Sequence, residues 1–235
     1  MNDSKAMSQK EDIVVFGTED ILRSLCDSVT KVLSIATQGD IRYSGMVQRI
    51  TKTCLKPDIG CFVLFDGGFT GLVVINFSSQ AAMELYESYM VNMGMAKSDL
   101  ASSHTSDEVA NVMGELMNQI VGDFTGKVAR ELQTHITQNQ PKMLALNKQV
   151  MLSVDTNLDK PEARRVTFFT GHNNIFYLEL AIDRTEFIKL NDFEQHEAPD
   201  PDELLAQVNA GGNVPSAHKS ADTSEQDEFL KSLGM

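Results

Sequence analysis

A carboxylate and an amide three residues apart, Glu115 and Asn118, stand out in the segment Asp107-Glu-Val-Ala-Asn-Val-Met-Gly-Glu-Leu-Met-Asn-Gln-Ile-Val-Gly122. On a helix this spacing puts both side chains on one face. A carboxylate accepts hydrogen bonds and pairs with cations. An amide donates and accepts at once, which suits it to hold a water molecule in a set direction. Glu108 and Asn111 repeat the pair seven residues earlier, close to a whole number of turns, so both pairs fall on nearly one stripe. Spacing alone favours a plain solvated helix face, and for Glu108 and Asn111 that is the reading adopted.

Other chemistries find little support. The histidines His104, His135, His172, His196 and His218 are scattered without ligand spacing, so no bound metal and no cofactor of the protein's own is expected. Cys26, Cys54 and Cys61 form no CxxC pair and read as reduced, small apolar residues. There is no glycine-rich phosphate loop and no nucleophile elbow.

The candidate pair needs a rigid helix beneath it. The segment from about Ser106 to Gln138 is expected to supply one, with Val112, Leu116, Ile120 and Val121 facing a core. An earlier helix is expected from Thr18, as its cap, to Gln38, with Gly39 ending it; Ile21, Leu22, Leu25, Val29, Val32 and Leu33 form its apolar stripe. Residues 41–55, 143–154, 165–169 and 175–182 are strand-like. Cys61 to Phe65 and Leu72 to Phe77 flank Asp66-Gly67-Gly68-Phe69, the signature of a β-hairpin, and Gly171 to Asn174 is a turn. Ser78 or Ser79 begins a helix to about Met93. The order of elements implies an α+β architecture, a largely antiparallel sheet carrying long helices, with two halves related by structure.

After about Leu190 the composition changes to Pro, Gly, Ala, Ser, Asp, Glu and Gln, and a flexible acidic tail is expected. The expected organisation is an N-terminal arm over 1–17, a domain over 18–190, a linker over 191–223 and an amphipathic terminal peptide over 224–235. The formal net charge of −13 argues against nucleic acid and anionic membranes. No run of 18 or more apolar residues and no secretion signal is present, so a cytoplasmic location is expected.

The run Gly114-Glu-Leu-Met-Asn-Gln-Ile-Val-Gly122 resembles the signature of the CheX/CheC/FliY chemotaxis phosphatases: a helical Glu-x-x-Asn with a glycine four residues after the Asn. Glu115, Asn118 and Gly122 fit it. Glu108 and Asn111 do not, because Gly114 follows one residue too soon. The hairpin with Gly68-Phe-Thr-Gly-Leu-Val-Val-Ile-Asn-Phe77 and the helix after it also resemble CheX, and the likeness spans roughly residues 18–190. Asp123-Phe124 departs from it, since many relatives carry Asn and a small residue there. The resemblance implies a CheC-like fold and a phosphatase acting on the aspartyl-phosphate of a CheY-like response-regulator receiver, with Mg²⁺ belonging to the receiver. It implies that Asn118 orients the attacking water and that Glu115 docks on the receiver's active-site lysine. The first helix, with Glu19-Asp-Ile-Leu-Arg-Ser-Leu-Cys-Asp-Ser28, lacks a second Glu-x-x-Asn, which points to one site per chain, as in CheX, and by the same resemblance to a homodimer.

The terminal run Ser224-Glu-Gln-Asp-Glu-Phe-Leu-Lys-Ser-Leu-Gly-Met235 resembles the receiver-binding peptide of CheZ, an unrelated chemotaxis phosphatase. Phe229, Leu230 and Leu233 would share one helical face and serve as partner-binding residues. A second reading stays open: a non-catalytic adaptor that binds receivers or a flagellar switch through the same fold and tail.

Overall fold

The computed structural model describes residues 15–190 apart from 147 and 155. Its elements in chain order are β1 (Val15–Phe16), α1 (Thr18–Thr37), β2 (Arg42–Tyr43), β3 (Gln48–Ile50), β4 (Thr53–Leu55), β5 (Ile59–Gly67), β6 (Gly71–Phe77), α2 (Ser79–Asn92), α3 (Asp107–Glu131), β7 (Ile136–Gln138), β8 (Lys142–Ala145), β9 (Leu152–Val154), β10 (Pro161–Phe169), β11 (Ile175–Asp183) and β12 (Phe187–Ile188), with a 3₁₀ turn at Lys97–Asp99.

Local chemistry sets the helix ends. Ser106 caps α3, its Oγ accepting from Val109 N at 3.3 Å, and Ser78 caps α2 by accepting from Ala81 N at 3.2 Å. The expected start of α1 shifts by one residue. Gly17 is the cap, its N–H donating to Asp20 Oδ2 at 3.1 Å, and Thr18 is a buried first helical residue. The left-handed residue that ends α1 is Gln38 (φ 52°), one position before the expected glycine. The largest departure concerns α3, which stops at Glu131 instead of running to Gln138. Gln133 turns left-handed (φ 50°), and the β-branched Thr134, Ile136 and Thr137 favour an extended path, so Ile136–Gln138 becomes a strand.

All strand pairs are antiparallel. The main sheet has the order β2-β10-β11-β6-β5-β7, with β3 also on β10 and β8 also on β5; β4 pairs with β9 and β1 with β12 in separate ribbons. The expected hairpin is β5–β6, and Thr170–Asn174 turns β10 into β11. The two halves are interlocked. Each half contributes a hairpin (β5–β6, β10–β11) that meets its counterpart at β6–β11, while β2 and β3 after α1 pair with β10 and β7 and β8 after α3 pair with β5.

One sheet face carries the helices. Leu25, Val29 and Leu33 of α1, Leu85 and Tyr86 of α2, and Met113, Leu116, Ile120 and Phe124 of α3 meet Val73, Ile75, Phe168, Phe176 and Leu178 in one core. Each fully buried large apolar side chain contributes about 1.5–3 kcal/mol, so this cluster is what clamps α3 to the sheet. A smaller core of Leu55, Leu72, Val74, Ala163 and Ala181 includes Leu55 of β4 and lies apart from the helix-side cluster. Arg165 pairs with the fully buried Glu179 there at 2.7 Å, and Glu179 also accepts from Cys54 N at 3.0 Å.

Candidate functional site on the third helix

The apolar period of α3 buries Val109, Met113, Leu116, Met117, Ile120, Val121 and Phe124. Val112, expected in the core, is only partly buried at its margin. What is left outward is a ridge of Glu108, Asn111, Glu115, Asn118 and Gly122, all exposed. Alternating steps of three and four keep these five on one line.

Within the ridge, the two pairs are held differently. Glu115 Oε1 accepts from Gln119 Nε2 at 3.0 Å, one turn along the helix. Asn118 Oδ1 accepts from Gln138 Nε2 of β7 at 3.0 Å, a bond across 20 residues of chain. The glycines also separate. A Cβ on Gly114 would lie 3.6 Å from Met143 of β8, an ordinary packing contact, whereas one on Gly122 would meet nothing within 4 Å. Gly122 therefore packs against nothing and leaves open space beside Asn118.

Gln138 was not recognisable as a site residue in the sequence, where it fell at the end of an over-long helix. Its place follows from the β5–β6 turn. Gly67 has φ +152°, and a Cβ there would lie 1.9 Å from His135 O; Gly68 N donates to that same oxygen at 3.0 Å. The two glycines thus let residues 134–135 close on the hairpin, and β7 pairs next, Ile136 opposite Gly67 and Gln138 opposite Phe65. Strand alternation then puts Ile136 and Gln138 on the α3 side, with Thr137 facing away. Ile136 packs on the main core accordingly.

Asp123, where the sequence departs from its look-alikes, ties α3 to α1. It accepts from Ser28 Oγ at 2.7 Å and from Lys31 Nζ at 2.6 Å, and pairs with Lys127 at 3.3 Å. Burial alone would raise its pKa; the hydrogen bonds from Lys31, Ser28 and Lys127 outweigh that and bring it down to about 2. The neighbouring Phe124 is fully buried against Phe65. Both residues are thus committed to holding the ridge in place.

The three cysteines are unpaired, and burial pushes the Cys26 thiol up to about 12. Among the described residues no three His, Cys, Asp or Glu side chains converge as a metal site would require, and no helix is long and apolar enough to cross a membrane. A cleft of about 690 Å³ lies elsewhere, bounded by the end of α1, by α2 and by His172. Phe229, Leu230 and Leu233 fall outside the described residues.

An α+β domain with this interlocked sheet and outward helical ridge has the fold of the CheX and CheC-like chemotaxis proteins. CheX from Desulfovibrio desulfuricans superposes with a TM-score of 0.57 at 17% identity, covering 70% of this chain and 99% of that one. A CheC-like protein from Shewanella sp. PV-4 gives 0.57 at 16% identity, covering 70% and 97%, and CheX from Vibrio vulnificus 0.57 at 12%, covering 70% and 99%. The chain belongs to the family described as "Protein of unknown function (DUF3334)", whose model matches residues 12–235. No curated protein matches the sequence.

Proposed function

We propose that this protein hydrolyses the aspartyl-phosphate of a CheY-like receiver domain, with Glu115 and Asn118 of α3 as its working residues. The observation that carries the reading is the exposed ridge of Glu115, Asn118 and Gly122 on a helix clamped to a fold shared with CheX and CheC-like chemotaxis proteins.

The substrate is an acyl phosphate and is already reactive, so catalysis consists of placing a water in line and excluding other poses. Glu115 docks on the cationic lysine of the receiver's site. The Asn118 amide holds the water. The water oxygen bonds phosphorus, the P–O bond to the aspartyl carboxylate breaks, and the carboxylate keeps the electron pair; the water's protons pass to solvent and phosphate. Mg²⁺ is supplied with the receiver. Gly122 leaves room for the receiver's backbone beside Asn118. The segment 224–235, with Phe229, Leu230 and Leu233, adds a second contact to the same receiver.

The test is a panel of receiver domains, phosphorylated with a small-molecule donor in Mg²⁺ and followed for phosphate loss with and without this protein. Accelerated loss from at least one receiver is expected. Binding to a phosphorylated receiver without acceleration would replace the phosphatase reading by the adaptor reading; neither binding nor acceleration would remove both.

A further inference from the structure

The ridge contains two Glu–Asn pairs of identical spacing, yet among the described residues only Asn118 is gripped from outside its own helix. Its Oδ1 accepts from Gln138 Nε2 at 3.0 Å. The other end of the Gln138 amide lies against a buried hydroxyl: Oε1 is 3.4 Å from Thr125 Oγ1, whose one hydrogen is directed at the carbonyls of its own helix, Val121 O at 2.9 Å and Gly122 O at 3.3 Å. At the Asn118–Gln138 contact a donor faces an acceptor, so turning either amide over alone would put like groups together. The strand that carries Gln138 is fixed in turn by its pairing with β5.

We propose that Gln138 is the positioning residue of the site: it pins the Asn118 carbonyl oxygen and so decides which side of that amide meets the phosphoryl group and water. This rests on the reading given under Proposed function. A free asparagine amide has two orientations, related by a half turn, that differ only in where donor and acceptor lie. Donation from Gln138 selects one. It leaves the second lone pair of Oδ1 for a water hydrogen and leaves Nδ2, which has no partner among the described residues, for an acceptor such as a phosphoryl oxygen. The bond also polarises the Asn118 amide, strengthening it as a donor. Asn111 has no such partner among the described residues, which gives a physical reason for only one of the two pairs to be active.

The experiment compares wild type, Gln138→Met and Gln138→Glu on a phosphorylated receiver. Met keeps the length of the side chain and removes the donor. Glu keeps the shape and replaces the donor by an acceptor, which repels Asn118 Oδ1 and turns the amide over. A fall in kcat of about three- to tenfold is expected for Met and more than tenfold for Glu, with KM changed less than about twofold, since docking is untouched. A role confined to tying β7 to α3 would lower thermal stability in both variants and leave kcat alike in the two. Unchanged kcat in Gln138→Glu, with Asn118→Ala inactive, overturns the proposal. A second readout does not depend on activity. In the free protein the Asn118 side-chain amide should have a high ¹⁵N heteronuclear NOE that drops in Gln138→Met; an equal NOE in both overturns the pinning. An inactive wild type with that NOE drop would instead remove the phosphatase reading and keep the pinning.

Discussion

The Asp123 carboxylate of α3 accepts a hydrogen bond from Lys31 of α1 at 2.6 Å, joining residues 92 positions apart, one position beyond the Glu115–Gly122 motif. The bond has a consequence for pH. The folded-state pKa of Asp123 is lowered from 3.8 to about 2, so the unfolded chain binds the proton more readily. Its contribution to stability is complete above the unfolded value and is lost as pH falls from about 4 towards 2. Asp123→Asn should cost about 1 kcal/mol at neutral pH, a modest figure because Lys31 is half exposed. Urea midpoints between pH 2 and 7 test this: the gap between wild type and variant should close at the acid end. Parallel curves would show that Asp123 is not linked to folding.

For the proposed chemistry, Asn118→Ala should reduce receiver dephosphorylation by about a hundredfold or more, the scale at which a misplaced reacting group is felt. Circular dichroism should be unaltered, because Asn118 is exposed. Glu115→Ala should raise KM as well. Asn111→Ala should leave the rate within about twofold of wild type. Full activity in Asn118→Ala would end the assignment, and a loss confined to Asn111→Ala would move the site seven residues upstream.

Gly122 offers a test in which stability and function move in opposite directions. An exposed helical glycine with nothing near its missing side chain should gain about 0.5–1 kcal/mol on replacement by Ala. Gly122→Leu should fold equally well yet fill the space beside Asn118, lowering affinity for a phosphorylated receiver by tenfold or more. Calorimetry on the free protein and titration with receiver measure the two effects. Unimpaired receiver binding by Gly122→Leu would place the docking surface elsewhere.

Deleting residues 224–235 should raise KM for phosphorylated receiver and leave kcat nearly unchanged, because a contact remote from the reacting atoms serves only to raise the effective concentration of the partner. Phe229→Ala with Leu233→Ala should reproduce the deletion. Steady-state kinetics decide: an unaltered KM gives the segment another task, and a fall in kcat alone places it in the chemical step.

Much of the positioning framework was legible because it is written in local signals. The period of Leu116, Ile120 and Val121 marks the helix and its buried side. Ser106 and Ser78 mark helix starts, and Asp66-Gly67-Gly68-Phe69 marks the hairpin, since caps, turns and periodicity depend on residues only a few positions apart. The exposed line of Glu115, Asn118 and Gly122 follows from the same arithmetic. What lay beyond the sequence depends on long-range pairing. That α3 stops at Glu131, that β2 and β3 join β10 while β7 and β8 join β5, and that Asp123 reaches Ser28 are settled by contacts between segments tens of residues apart. Gln138 illustrates the divide. Read locally it continues a helix. Only the close approach of Gly67 and Gly68 to His135 turns the chain back along β5 and sets its amide against Asn118. Spacing on one helix can say which side chains share a face, but the partner that orients an amide is chosen by whichever strand the folded sheet brings beside it.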